Sequence, residues 1–137
     1  MFAKIMVPVD LAHADKLGRA LETAAGLGGF YGCPVCYVGV TTEAPSSLAH
    51  TPEEYAAKLA AFAAAQGETG GHKAESHAVA SHDPSVDLDG TLIKAAEDVG
   101  ADLIVMASHI PNLADHLWPS HGGQVARKSH ASVLVVR

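Results

Sequence analysis

Apolar residues fall along this chain in two patterns. Short unbroken runs, rich in β-branched side chains, alternate with longer stretches whose apolar positions recur every three or four residues. The first run, within Lys4 to Asp10, holds Ile5, Met6, Val7 and Val9 and is apolar on both faces, as a central parallel strand requires. Pro8 lies near its end, where a lost ladder donor is tolerated. Similar runs predict strands over Pro34 to Val40, Leu103 to Ala107 and Ser132 to Val136. His72 to Ala80 alternates only weakly, through alanines and Val79, which suffices for an edge strand.

The stretches between them have helical spacing. Leu17, Ala20, Leu21, Ala24 and Leu27 predict a helix from Asp15 to Gly28, with Gly28-Gly29 as a left-handed stop. Thr51-Pro52-Glu53-Glu54 reads as a capping box with proline at the first helical position. The helix it opens extends to Gln66, buries Tyr55, Leu59, Phe62 and Ala63, and is ended by Gly67 and Gly70-Gly71. Leu92, Ile93, Ala96 and Val99 mark a third helix, and Pro119-Ser120-His121-Gly122-Gly123-Gln124 opens a fourth. The order β-α-β-α-β-α-β-α-β predicts an α/β domain over residues 1–137: a single doubly wound five-stranded parallel sheet with helices on both faces.

Composition narrows the function. A chain of 137 residues can bury roughly two-thirds of its unfolded surface without staples. Nine Lys and Arg against 15 Asp and Glu give a net charge of −6, which argues against nucleic acid as a partner. No apolar run approaches the ~20 residues of a membrane span, and no signal-peptide pattern precedes Lys4, so the expected location is the cytoplasm. Nine histidines can make the surface charge pH-sensitive near neutrality.

Three local motifs invite chemistry and give it little support. Cys33-Pro34-Val35-Cys36 is a C-x-x-C, but it enters a strand rather than opening a helix. Three strand residues span ~10 Å, beyond the ~7 Å Cα limit for a disulfide, so two packed, reduced thiols are expected. His72, His77 and His82 are spaced by five, which on a strand alternates faces, so solvated edge histidines are expected rather than a metal site. Asp87-Leu88-Asp89-Gly90-Thr91 matches the D-x-D-G-T signature of haloacid-dehalogenase phosphatases. It follows polar residues instead of an apolar strand, and Asp87 or Asp89 also suits the cap of the third helix.

In a doubly wound sheet ligands bind at the carboxyl ends of the strands, which directs attention to Asp10 and to the polar, histidine-rich loop from Ser108 to His121. Asp10 there either reaches a ligand or caps the turn into the next helix. Gly39, near the end of its strand, allows close approach by a ligand or a neighbouring strand. Gly122 and Gly123 carry a propensity cost in the first helical turn, explained if backbone closely approaches a phosphate or a packed neighbour.

The ending Ala101-Asp102-Leu103-Ile104-Val105-Met106-Ala107-Ser108-His109, then Arg127 to Val136, together with the opening Lys4-Ile5-Met6-Val7-Pro8-Val9-Asp10, resembles the universal stress protein family over essentially the whole chain. The Ser108-His109-Ile110-Pro111 loop is similar to that of one branch. The resemblance implies a homodimer joined through the last strand, Ser132 to Arg137, and a regulatory binding module rather than an enzyme. It would signal in stress response to a protein partner, a membrane transporter among the candidates. The implied ligand is ATP or another adenine nucleotide, with or without magnesium. By correspondence the nucleotide meets Pro8, Val9, Asp10 and Val40 around adenine and Met106 beside the ribose. Ala107, His109, Ser120, His121 and Gly122 would lie around the phosphates.

The family's phosphate motif, Gly-x-x-Gly followed by Gly-Ser, falls here on Ala107, Ile110 and Pro119-Ser120, so only its serine is retained. Pro119 removes a donor from the helix start. Two further readings therefore stand beside nucleotide binding: a nucleotide-independent adaptor with a degenerate site and no cofactor, and a phosphatase resting on Asp87 and Asp89. Trp118 either covers the site or packs beneath the last helix, and packing is the expectation.

Overall fold

Strands that are apolar on both faces need a cover on each. The computed structural model describes residues 1–84, 86–108 and 121–137. Its strands are β1 (Ile5–Pro8), β2 (Val35–Thr42), β3 (Ala74–Ser81), β4 (Leu103–Ala107) and β5 (Ser132–Val136). They form one parallel sheet in the order β3-β2-β1-β4-β5. The helices are α1 (Gly18–Tyr31), α2 (Pro52–Gly70), α3 (Leu88–Val99) and α4 (His121–Lys128), and a 3-10 turn, Leu11–Lys16, precedes α1.

Alternate residues of each strand feed two separate cores. Ile5, Val7, Val35, Tyr37, Leu103 and Val105 pack with Leu21 and Ala24 of α1 and Leu59 of α2. Met6, Cys36, Val38, Ile104 and Met106 pack on the other face with Leu88 and Leu92 of α3 and Val125 of α4. The doubly wound α/β sheet is thus present, with β3 and β5 as its edges. Leu134 and Val135 leave β5 38% and 42% exposed, so this edge is apolar and open.

Two helices run past their expected stops. α1 continues through Gly28-Gly29 to Tyr31, and the left-handed residue is Gly32 (φ 63°). Gly28 stays helical because it lies flat on β2, where a Cβ would come within 2.7 Å of Val35 Cγ2. α2 likewise continues past Gln66 and Gly67, and it ends at the expected Gly70-Gly71 pair, with Gly71 left-handed (φ 66°). Here too the earlier glycine serves contact, since a Cβ on Gly67 would lie 2.9 Å from the Ala74 Cβ. In the predicted first turn of α1 the chain forms the separate 3-10 turn, broken at His13 (φ −126°, ψ 27°).

The capping box at α2 is half formed: Glu54 N–H donates to Thr51 Oγ1 at 3.1 Å, while the Glu54 carboxylate accepts at 3.0 Å from His50 N–H, one residue before the cap. That backbone bond, outweighing partial burial, holds the Glu54 carboxyl below the usual range. The two cysteines are reduced and buried on opposite sides of the sheet, Cys33 in one core and Cys36 in the other. Burial raises both thiols, Cys36 to about 11 with Glu75 adding to the effect, so neither is a reactive thiolate near neutrality.

His72 is not a solvated edge histidine. It precedes β3 and bonds the Tyr37 hydroxyl through Nε2 at 2.8 Å, with its ring half-buried. Close packing by Gly70, Gly28 and Tyr37 is what draws it inward. His82, by contrast, is exposed and lies 3.4 Å from Glu43.

Candidate functional site

Strand order reverses between β1 and β4, so β1 flanks the switch point where such sheets take ligands. At the carboxyl ends of β1 and β2 a crevice of about 90 Å³ is lined by Val9, Asp10, Val38, Val40, Pro84, Leu88 and Leu92. Its volume is below the ~300–1,000 Å³ of pockets that enclose a drug-sized molecule. The described lining is therefore the size of part of one flat ring.

The local chain explains its shape. Val9 N–H donates to Val38 O at 2.8 Å, holding the exit of β1 against β2. Asp10 then turns out of the sheet in an extended conformation (φ −86°, ψ 101°). It occupies the cap position of the 3-10 turn, but its carboxylate makes no capping bond to backbone. Its Oδ2 pairs instead with His13 Nδ1 at 2.9 Å. Tyr55 of α2 lies in the field of the same carboxylate: burial, with the Asp10 charge as a second cause, pushes its phenol up to about 12.

That phenol also accounts for Gly39. A Cβ there would overlap Tyr55 Oη and come within 2.9 Å of Cε1, so a helix side chain makes the close approach, neither a ligand nor a strand. On the far wall, α3 delivers Leu88 and Leu92. Asp87 caps it in a left-handed conformation (φ 52°), accepting from Gly90 N–H at 3.2 Å. The Asp87 carboxylate is thus spent on the helix start. Five residues separate it from the end of β3 at Ser81, unlike a nucleophile carried directly on a strand end.

The sequence-predicted residues do not all come together. Val9, Asp10 and Val40 meet in the crevice. Pro8 and Met106 are buried; Met106 is 1% exposed and its side chain belongs to the core shared with Val38, Leu88 and Leu92. Ala107 lines a different cleft, described below. Gly122 is buried against β5, where a Cβ would come within 3.0 Å of Val135 Cγ2; a packed neighbour explains this glycine. His121 opens α4. His109, Ile110, Trp118, Pro119 and Ser120 lie outside the described residues.

Sequence reasoning missed Val38, Pro84, Leu88 and Leu92 as crevice residues. Leu92 was visible as part of an apolar stripe, but nothing local told which end of that stripe would reach the carboxyl edge. Among the described residues no group of three His, Cys, Asp or Glu side chains could hold a metal ion. No described helix is long and apolar enough to cross a membrane.

The second cleft lies at the carboxyl ends of β4 and β5 and measures about 400 Å³. Lys16, Leu17, Arg19 and Ala20 form one side, and Ala107, Ser108, Val136 and Arg137 the other. Ser108 N–H donates to Val136 O at 2.8 Å, closing the sheet beneath it.

This architecture has clear relatives. A universal stress protein from Archaeoglobus fulgidus superposes with a TM-score of 0.71 at 21% identity, over the whole of both chains. A universal stress protein solved in complex with cAMP gives 0.70 at 22% identity, over 99% of this chain and 97% of its own. The A. fulgidus universal stress protein in complex with dAMP gives 0.68 at 22% identity, over 98% of both chains. No curated protein sequence matches the chain. The model of the universal stress protein family matches residues 1–137, and the chain belongs to that family.

Proposed function

We propose that the chain is a cytoplasmic, homodimeric binding module that takes ATP or another adenine nucleotide and passes its occupancy to a protein partner, without turnover of its own. The observation that carries this reading is the meeting of Val9, Asp10 and Val40 in one crevice at the carboxyl edge. Apolar walls from Val38, Leu88 and Leu92 suit the faces of a purine, and the Asp10 carboxylate suits its exocyclic amine. That two solved members of the same family hold cAMP and dAMP supports the choice of adenine.

In this reading the base enters the crevice and the phosphates extend toward the start of α4, where Ser120, His109 and His121 would supply donors. Magnesium would arrive on the phosphates, since the described residues offer no metal cluster of their own. The dimer would form through β5, whose unpaired edge carries Leu134 and Val135.

A nucleotide-independent adaptor is the second reading. It is favoured by the small crevice and by Pro119 in place of a backbone donor. Mass spectrometry of small molecules released from freshly purified protein separates the two. A stoichiometric adenine nucleotide supports the first, and an empty protein that also fails to take up ATP or AMP supports the second.

A further inference from the structure

Asp10 stands where a carboxylate ordinarily caps a helical turn, and it does not cap. Asp87 shows the ordinary outcome in the same chain: it precedes α3 and accepts from Gly90 N–H at 3.2 Å. Asp10 precedes the 3-10 turn in the same way, yet its side chain makes no capping bond. The difference is His13. Its N–H donates to Asp10 O at 3.0 Å and its Nδ1 meets Asp10 Oδ2 at 2.9 Å, so backbone and side chain tie the two residues together twice.

Chemistry fixes the roles in this pair. An ionised carboxylate only accepts, so Nδ1 carries the proton of the bond. That bond occupies Oδ2, and among the described residues no donor meets Oδ1. Asp10 is the one polar side chain among the described residues lining the Val9–Val40 crevice, and His13 does not line it. His13 therefore reaches a ligand there only through Asp10. The imidazole is 39% exposed and lies outside both cores, so its removal leaves the fold intact.

We propose that His13 is the positioning residue that makes this crevice select a purine by its exocyclic amine. The inference rests on the nucleotide reading of the crevice. With Oδ2 held by His13, Oδ1 is left to accept from the amine of adenine. Hypoxanthine has the same shape but a carbonyl oxygen in the amine's place, so its lone pairs would face the carboxylate unpaired. Without His13 the carboxylate is free to swing back onto the N–H groups of the turn, as Asp87 does at α3. The rest of the described lining is apolar and holds the two bases alike. Selection is then lost, and a weaker apolar affinity stays.

The test is titration calorimetry of the full chain with ATP and with inosine triphosphate, in the parent, His13→Ala and His13→Asn. Asparagine carries an N–H donor close to where Nδ1 stands and restores the tie to Asp10. The parent should prefer ATP by roughly tenfold or more. His13→Ala should lose roughly three- to tenfold for ATP and less than about twofold for inosine triphosphate. His13→Asn should return the ratio to within about twofold of the parent. In the ligand-free parent at pH 8, long-range proton–nitrogen correlation should place the ring proton of His13 on Nδ1. If the parent binds neither nucleotide, the nucleotide reading falls and this inference with it. If the parent binds ATP, equal affinity for inosine triphosphate, an unchanged ratio in His13→Ala, an unrestored ratio in His13→Asn or a proton on Nε2 would each overturn the role of His13 alone.

Discussion

Nδ1 of His13 lies 2.9 Å from Oδ2 of Asp10, three residues back along the chain, where the exit of β1 turns into the 3-10 turn. The break in that turn at His13 is what places the imidazole over the carboxylate. Asp10 is thereby aimed along the rim of the crevice instead of back at the helix start. His13→Ala should weaken ATP binding roughly three- to tenfold by calorimetry. The melting temperature should barely change, because a half-exposed pair of this kind contributes only ~0.2–1 kcal/mol.

Gly39 and Tyr55 make a tighter constraint. A methyl group at 39 would drive into the Tyr55 ring, and both neighbours are buried. Gly39→Ala should destabilise the protein by about 1–3 kcal/mol in urea unfolding. Adding Tyr55→Leu should cost less than the two single changes summed, since the clash would be gone. Strict additivity would show that the close contact is absent in solution.

Alkaline stability follows from three raised groups. Burial pushes Tyr37 and Tyr55 up to about 12 from a usual 10, with the Asp10 charge adding to Tyr55, and burial lifts Cys36 to about 11 from 9. Each group is neutral in the folded state at a pH where the unfolded chain has already lost its proton. Their contribution is complete below about pH 9 and is lost as pH rises through 11 and 12. Unfolding free energy should therefore be flat through pH 8 and fall above pH 9, by at most ~1.4 kcal/mol per pH unit for each titrating group. Tyr55→Phe should flatten the decline above pH 10, and an unchanged slope would contradict the burial of this phenol.

At the β5 edge, Leu134 presents 38% of its surface on a strand with one free side. Leu134→Glu should convert a dimer into a monomer by light scattering, with stability within ~0.5 kcal/mol of the parent once assembly is accounted for. Retention of the dimer would move the interface elsewhere.

Much of this was legible in the chain. Short, β-branched apolar runs such as Leu103 to Met106 point to a strand covered on both faces, and the capping residues of α2 and α3 mark their own starts. Helix ends were harder to read. Glycine serves both as a left-handed stop and as a flat contact surface, and only the fold tells Gly28, packed on Val35, from Gly32, which ends the helix. His72 misled for a related reason: counted on strand spacing it faces solvent, but it stands before the strand and turns in to Tyr37.

Site residues followed the same division. Val9, Asp10 and Val40 were visible because they sit where strands end. Leu88 and Leu92 were not, because the seating of α3 against the sheet is set by tertiary packing.

The most direct test of the central claim is titration calorimetry of the protein with ATP, beside the variant Asp10→Asn. Among the described residues Asp10 is the one charged group lining the crevice, and it would accept from the adenine amine. The account predicts saturable heat for the parent chain and at least tenfold weaker binding for the variant. No heat with the parent, or equal affinity in both, would contradict it.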